Sequence, residues 1–560
     1  MTHNVSRFRT PRRGRVGVTE TLSDAAVRSG LRTAQALAAA VFLLSLPSVA
    51  FGDSIEVPTT ADGQAPDFLS LAVTEELSLS LDEAIENALL HNVSLAVQRY
   101  GRSSSVLGIK EAMGLYDLNL SGNASTGSDT RPPSSLLEVA DILTSESDRW
   151  NFSLQQASPY GGGVSLDFTN SKQTSSNENL QPNPQFSSGL FFGLRQPLLQ
   201  NFGKAVTERN ITVARTNANI NRQQFRVQVE SVVRQVSDFY WDLVEAKAQL
   251  DVSKESLSLA EDLHRMNKIQ VEVGTLAPLE MVTSEAGVAA REEDIIRRQQ
   301  FVGDAEDQLR RLMNLEHGEL WDVPLVPTTD PEIEHEPVNL KAAVETAYAK
   351  RADVIQKELS NKTVELDAKV ARSLAKPQLD LSGNYGFNGV GGTIDTTING
   401  QPVFSETTYS DTLKQLTDGL YEGWSIRLDF SMPLQNRAAK ARRAQADLAV
   451  EQANLELRDL KDQVLLEVRR AARAVETAAK AIESARISSK LAQKNLEAEQ
   501  KRYENGLSTS FRVLEIQEDL SGARSREVQA VISYRKALTA FQQLTGELLE
   551  KQNVVLLAED

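Results

Sequence analysis

The chain contains no cysteine among its 560 residues. This absence excludes a disulfide framework, thiolate metal sites, an iron–sulfur cluster, a cysteine nucleophile and the residue to which a bacterial lipoprotein anchor would attach. Aromatic residues are also scarce, at 6% of the chain. The formal net charge is −16, so we expect no nucleic-acid partner.

Motifs that carry catalysis are also missing. The five histidines are scattered without the spacing of metal ligands, and neither a GxSxG motif nor a P-loop occurs. Acidic pairs such as Glu292-Glu293 lie in segments with a helical pattern, and we interpret them as charged residues on a helix surface. We therefore predict that the protein is not an enzyme and carries no metal or other cofactor.

A long apolar run occurs only near the N-terminus. Residues 1–52 read as a signal peptide, with a basic region, the stretch AQALAAAVFLLSL and small residues before the cleavage site. The stretch is shorter than the roughly 20 residues of a membrane span, although an uncleaved anchor is the alternative. Because no later run is long enough, any entry into a membrane would have to use β-strands.

The rest of the chain consists of two halves with related sequences. LSLDEAIENALL at 79–90 resembles VNLKAAVETAYA at 338–349, and LNLSGN at 118–123 resembles LDLSGN at 379–384. We predict repeats over 79–315 and 338–550, each with a helix, strands, a very long helix, a turn and a return helix. The remaining segments are an N-terminal extended segment over 53–78, a proline-rich linker over 316–337 and a C-terminal tail over 551–560.

Apolar residues that alternate three and four positions apart predict two coiled-coil helices, over about 205–273 and about 437–505. Neither segment contains glycine or proline, so each helix could reach about 100 Å. Gly274 and Gly506 follow these segments and predict sharp turns. Shorter return helices are expected over about 278–315 and about 508–548.

Alternating apolar and polar residues predict β-strands within about 117–196 and about 378–432, separated by polar loops. About ten alternating residues is the length of one tilted membrane strand. A half-buried strand of a soluble sheet is the alternative for any single segment, but the signal peptide and long hairpins favour a membrane barrel. The first half holds four such segments, and we expect the hairpin of the middle pair, within 150–170, to lie outside the barrel. The expected loops are 126–149, 171–187 and 388–422.

The chain resembles the TolC-like outer membrane efflux protein family. The resemblance rests on LSLDEAIENALLHN at 79–92, QPLLQNFG at 196–203 and RYENGLSTSFRVLEIQ at 502–517, and on their order along most of 79–550. It implies a mainly α fold with a transmembrane β-barrel. It also implies a homotrimer in which each protomer adds four strands to a shared twelve-stranded barrel and its long helices to a coiled-coil α-barrel. Independently of the resemblance, four strands cannot close a barrel, and an open strand edge in lipid is prohibitive.

The resemblance further implies a function. The protein would be an exit duct for efflux or type I secretion, set in the lipid of a Gram-negative outer membrane with a periplasmic helical extension. A periplasmic adaptor would dock on it, and an inner-membrane transporter of the RND, ABC or MFS type would supply the energy. A periplasmic coiled-coil adaptor or scaffold without a membrane barrel is the competing hypothesis.

Three sets of residues are candidate functional positions. The resemblance implies that the turns after the long helices bind the adaptor, and an exposed leucine on such a tip would suit a partner's groove. The simpler interpretation is that the glycines only terminate the helices, and the two interpretations are compatible. The predicted tip residues are Val273, Gly274, Thr275, Leu276, Asn505, Gly506, Leu507 and Ser508. Pro197 and Pro433 are predicted hinges between strand and helix. A lipid-facing aromatic girdle is predicted for Trp150, Phe191, Phe192, Trp424 and Phe430, with core packing as the alternative.

Charged residues near the tips form a weaker group of candidates. They could link protomers and hold a closed aperture, although a solvated helix face is the simpler interpretation. These residues are Arg265, Glu272, Glu499, Lys501, Arg502 and Glu504.

Overall fold

The computed structural model describes residues 76–134, 138, 142–177, 179–315, 321, 323–331, 337–398 and 401–555. The predicted signal peptide, nearly all of the N-terminal extended segment and parts of the linker and tail lie outside the described residues. The described chain is mainly helical with one large antiparallel sheet, which confirms the predicted fold class at that level. None of the helices in these ranges has both the length and the apolar composition needed to cross a membrane.

The elements are numbered here in chain order. The helices are α1 Leu81–His91, α2 Val93–Met113, α3 Lys204–Thr207, α4 Arg209–Glu272, α5 Pro278–Met313, α6 Leu340–Lys350, α7 Ala352–Leu374, α8 Tyr409–Thr417, α9 Arg437–Glu504, α10 Ser510–Thr545 and α11 Leu548–Lys551. The strands are β1 Leu77–Leu79, β2 Asn119–Arg131, β3 Leu143–Ala157, β4 Gly163–Ser175, β5 Gln185–Pro197, β6 Leu325–Pro327, β7 Gln378–Ile398, β8 Gln401–Thr407 and β9 Glu422–Ser431.

Each long helix folds back on its return helix to form a hairpin. Helix α4 has 64 residues and packs on α5, and α9 has 68 residues and packs on α10. The regular spacing of apolar residues places one stripe of each long helix in the interior. Val229, Val232 and Val236 of α4 are buried, as are Val464 and Val468 of α9. Burial of these stripes, rather than helix propensity, stabilises helices of this length.

A short parallel strand pair lies beside α4. Strands β1 and β6 pair from Leu77–Leu325 to Leu79–Pro327, so part of the predicted extended linker belongs to the core. The hydroxyl of buried Tyr240 donates to the Leu79 carbonyl at 3.1 Å and accepts from the Thr329 N–H at 2.9 Å. This tyrosine therefore ties the strand pair to α4.

Replacing Tyr240 by phenylalanine is expected to lower the free energy of unfolding by about 1–3 kcal/mol, because the Thr329 N–H and the Leu79 carbonyl lose a partner where water is excluded. The measurement is denaturant unfolding of the detergent-purified protein, followed by circular dichroism. The matched control is Tyr160→Phe, at an exposed tyrosine. Equal stability of the two variants would contradict the role given to Tyr240.

The large sheet is antiparallel throughout. Its strand order is β2-β3-β4-β5-β7, with β9 paired to the first half of β7 and β8 paired to its last residues. Strands β3 and β4, which form the hairpin expected to lie outside the barrel, are inner strands of this sheet. The loops are also shorter than expected, since the strands extend into all three ranges and α8 lies within 388–422.

The two faces of this sheet differ in chemistry. Residues directly opposite each other in neighbouring strands share a face. One row on the first face runs Leu120, Leu154, Leu166, Phe192, Tyr385 and Trp424. A row on the second face runs Asn119, Gln155, Ser165, Gly193, Asn384 and Ser425. The sheet therefore has an apolar face and a polar face across six strands.

Candidate functional site

The two hairpin tips turn by the same device. Gly274 and Gly506 adopt positive φ angles of 81° and 72°, which glycine tolerates at no steric cost. The N–H groups beyond each glycine return to the end of the long helix, Thr275 to the Gln270 carbonyl at 2.8 Å and Leu507 to the Arg502 carbonyl at 2.8 Å. Each long helix therefore ends abruptly, and the chain reverses within a few residues.

Capping residues start the return helices. Pro278 stands in the first turn of α5, where its missing N–H would have no partner. Thr509 caps α10 by accepting from the Arg512 N–H at 3.3 Å. Ser508 instead donates to Glu499 at 2.5 Å, and Glu499 also accepts from Arg502 at 3.1 Å. Glu499 is thus buried beneath the turn rather than displayed as surface charge.

The tips expose large apolar side chains. Val273 is 73% exposed and Leu507 is 70% exposed, whereas Leu276 is half-buried. The structure adds two residues that the sequence argument missed, Leu279 and Phe511, both largely exposed in the first turns of the return helices. They fall outside the regular apolar stripe, and an apolar residue off that stripe near a turn is the signal that could have revealed them. Val273, Leu279, Leu507 and Phe511 are called the tip patch below.

A buried polar cluster joins the two hairpins just above the tips. Asn267 of α4 donates to Ser510 of α10 at 3.0 Å and accepts from the Tyr503 hydroxyl of α9 at 2.5 Å. Ser510 donates in turn to the carboxylate of Glu280 on α5 at 2.5 Å. These four residues, Asn267, Glu280, Tyr503 and Ser510, are called the tip latch because they connect all four helices.

The hydrogen bonds of the tip latch are shielded from water. Asn267 and Ser510 have no exposed surface. Burial also raises the pKa of Tyr503, so its phenol keeps the proton that it donates at neutral pH. The apolar cluster of Leu263, Leu496, Val513, Ile516 and Leu520 packs beside the tip latch and excludes water. A polar group deprived of its partner here would be left without a hydrogen bond.

Two of the other charged candidates form ion pairs within their own helices. Arg265 contacts Asp262 one turn earlier in the same helix, and Arg502 contacts Glu499. Within the described ranges, no group of three or more His, Asp or Glu residues is arranged to hold a metal ion.

The strand-to-helix connections turn at asparagine and glycine. Pro197 is the last residue of β5, and the left-handed residues that follow it are Asn201 and Gly203, with φ angles of 61° and 105°. Pro433 lies between β9 and α9, where Asn436 takes a φ angle of 44° and its side chain donates to the Ala375 carbonyl at 3.0 Å. The left-handed backbone positions therefore lie a few residues after each predicted proline hinge.

The predicted girdle residues divide between the two faces of the sheet. Phe192, Trp424 and Phe430 lie exposed on the apolar face. Phe191 differs from the prediction. Adjacent residues of a strand point to opposite faces, and the register places Phe191 on the polar face beside Gly386. Trp150 belongs to the apolar face but is partly covered, since its ring meets that of Tyr409 of α8 with centroids 5.4 Å apart.

Comparisons with known proteins agree with this architecture. The family model described as outer membrane efflux protein matches residues 117–315 and 343–547. A solved structure of the outer-membrane channel OprN is 15% identical, with a TM-score of 0.59, covering 83% of this chain and 90% of that chain. The Campylobacter jejuni CmeC outer membrane channel is 14% identical, with a TM-score of 0.57, covering 84% of this chain and 86% of that chain.

A third similar structure is the open state of the Neisseria gonorrhoeae MtrE outer membrane channel, which is 16% identical with a TM-score of 0.57. That match covers 84% of this chain and 89% of the MtrE chain. At such identities the likeness shows the fold alone, and no curated protein matches the chain. Because the family model matches most of the chain, the protein belongs to the outer membrane efflux protein family of TolC-like channels.

Proposed function

We propose that this protein is a passive exit duct in a Gram-negative outer membrane, built as a homotrimer with a periplasmic helical extension. The observation that supports this most is a sheet with one apolar and one polar face, joined to helical hairpins whose long helices have 64 and 68 residues. The apolar face suits lipid, and the polar face suits a water-filled lumen. The helices are long enough to carry the lumen across about 100 Å.

A duct of this kind needs energy from elsewhere. We infer that a periplasmic adaptor docks on the tips and connects the duct to an inner-membrane transporter of the RND, ABC or MFS type. The cargo would be small molecules or, in type I secretion, a secreted protein. The exposed tip patch fits a groove on such an adaptor, because an apolar residue on a rigid turn is a typical anchor of a helix-in-groove contact.

The tip latch has a place in this function. It joins the α4–α5 hairpin to the α9–α10 hairpin at the end farthest from the sheet, where a bundle of such hairpins would narrow. We propose that these hydrogen bonds hold the tips in a closed arrangement and break when an adaptor separates the hairpins.

Polar substitution of the tip patch is expected to weaken the adaptor contact. The double variant Leu507→Ser, Phe511→Ser should reduce site-specific crosslinking to the adaptor at least tenfold, since each side chain loses the burial it gains on docking. Stability should change little because both side chains are already exposed in the protomer. The control is Ile296→Ser, at an exposed apolar residue in the middle of α5. Unchanged crosslinking in the double variant would show that the tip patch does not dock.

The proposed function is tested by fractionation and mass. The mature protein should appear in the outer-membrane fraction, require detergent for extraction, and run as a trimer after chemical crosslinking. A water-soluble monomer would overturn the duct and favour the periplasmic scaffold.

A further inference from the structure

We propose that the two free edges of the sheet, β2 and β9, pair between neighbouring copies of this chain. Each copy would then contribute six strands, and a trimer would close a barrel of eighteen strands. This inference rests on the proposed duct and goes beyond it, since the family resemblance alone implies four strands per protomer.

The apolar face runs without interruption through the extra hairpin. On β3, Phe152 and Leu154 lie in the same rows as Phe168 and Leu166 of β4. These rows continue into Leu190 and Phe192 of β5. A hairpin outside the membrane would have no reason to carry apolar residues on the same face and at the same height as its neighbours. The extra strands therefore match the lipid-facing band.

The polar face is equally continuous. Ser153 and Gln155 of β3 stand opposite Asp167 and Ser165 of β4, and Ser153 and Ser165 both donate to the Asp167 carboxylate, at 2.5 and 2.7 Å. A hydrogen-bonded polar surface of this kind suits the wall of an aqueous lumen. Both faces of the extra hairpin thus have the chemistry of barrel strands.

The edge strands β2 and β9 of neighbouring copies can pair with each other. Every residue of β2 is exposed, and so is nearly every residue of β9, since among the described residues each strand is hydrogen-bonded on one side only along these stretches. Because the ordered strands β2, β3, β4, β5, β7 and β9 alternate in direction, β2 and β9 run oppositely. An edge β9 can therefore join β2 of the next copy as an antiparallel pair, and this heterologous contact closes a ring.

The two faces of the sheet limit which residues of β2 and β9 can stand opposite each other. Leu120 on β2 and Trp424, Ile426 and Leu428 on β9 belong to the apolar face, so even-numbered residues of both edges face the same way. Odd-numbered residues, such as Ser121 and Ser425, face the lumen. Even residues of β2 must therefore stand opposite even residues of β9, and odd opposite odd, whatever the exact register.

The consequence concerns cargo size. Barrel diameter grows roughly linearly with strand number, so eighteen strands give a barrel about 1.5 times as wide as twelve. The barrel would then be much wider than the tips, and solute size would be limited at the tips. Bulky solutes that pass the open tips would meet no second barrier in the barrel.

Cysteine crosslinking tests this pairing cleanly because the chain has no cysteine of its own. Ser121→Cys is combined in turn with Ser425→Cys, Arg427→Cys, Asp429→Cys or Ser431→Cys, all on the polar face. At least one pair should oxidise to covalent dimers and trimers in intact outer membranes, since opposed residues bring their Cα atoms within disulfide range. The control is Leu120→Cys with the same four partners, which lie on the opposite face and should give no crosslink.

A second measurement locates the extra hairpin. Phe152→Cys and Leu166→Cys should resist a membrane-impermeant maleimide, whereas Ser153→Cys and Asp167→Cys should react. Equal reactivity of all four would show that the hairpin lies outside the membrane.

The outcomes separate this inference from the proposed duct. A trimer in which Ser121→Cys forms a disulfide with Gly193→Cys of its own chain would place β2 beside β5, overturn the eighteen-stranded barrel and leave the duct standing. Absence of any oligomer would overturn the duct itself, and the inference with it. Oxidised monomers alone would show that the sheet closes within one chain.

Discussion

Breaking the tip latch is expected to produce the largest functional change. The double variant Asn267→Leu, Tyr503→Phe removes the hydrogen bonds that Asn267 makes with Tyr503 and Ser510 across the two hairpins. Each buried hydrogen bond contributes about 1–1.5 kcal/mol, so the loss of two, about 2–3 kcal/mol, should change the closed-to-open ratio about thirty- to 150-fold. Single-channel recording should therefore show a large rise in the fraction of time spent in the open state.

The matched control for the tip latch is Ser284→Ala. Ser284 is fully buried, and the hydrogen bonds of its hydroxyl among the described residues, with His264 at 3.0 Å and with the Met281 carbonyl at 2.9 Å, lie within the α4–α5 hairpin. This variant should lose stability without opening the channel. If both variants raised the open fraction equally, general loosening of the tips would explain the effect, and the specific role of the tip latch would be rejected.

Removing the Glu306 carboxylate is expected to produce the largest loss of stability. This buried acid on α5 accepts from Arg310 at 3.1 Å and from the Leu325 N–H at 3.1 Å, so it fastens β6 to the helices. Glu306→Ala leaves the Leu325 N–H without an acceptor and leaves the buried Arg310 with only the exposed Asp307, at 2.9 Å, as a charge partner. The two losses together are expected to cost about 3–5 kcal/mol. Denaturant unfolding of the purified protein, followed by circular dichroism, measures this loss.

Two further variants sharpen this prediction. Glu306→Gln keeps an acceptor for the Leu325 N–H and should lose less stability than the alanine variant. Glu292→Ala removes an exposed acid from the same helix and should change stability by no more than about 0.5 kcal/mol. If the Glu306 and Glu292 alanine variants unfolded at the same denaturant concentration, the buried pair would not hold the fold together.

The sequence predicts the helical part of the fold well because that information is local. A stripe such as Val229, Val232 and Val236 repeats over many turns, and its period identifies the helix and its buried side together. Glycine at the end of such a stripe, as at Gly274, marks the turn because few other residues adopt a positive φ angle easily. The main features of both long helices and tips follow from these two signals.

The sheet and the tip latch depend on contacts between distant residues. Alternation in β3 and β4 shows that each is a strand, but only their pairing with β2 and β5 shows that they lie inside the sheet. Helix α8 carries a helical signal, since Tyr409, Leu413 and Leu416 are spaced four and three apart, but its nine residues lie inside a polar stretch that was predicted to be a loop. The tip latch joins residues up to 243 positions apart, and no spacing in the sequence brings Asn267 to Ser510.

The central claim is that this chain forms a gated aqueous duct, and planar-bilayer recording of the mature, detergent-purified trimer tests it most directly. The account predicts long-lived channels of low conductance, which change to a high-conductance state in the Asn267→Leu, Tyr503→Phe variant. A trimer that inserts into the bilayer yet conducts no ions, in the native form and in the double variant alike, would contradict it.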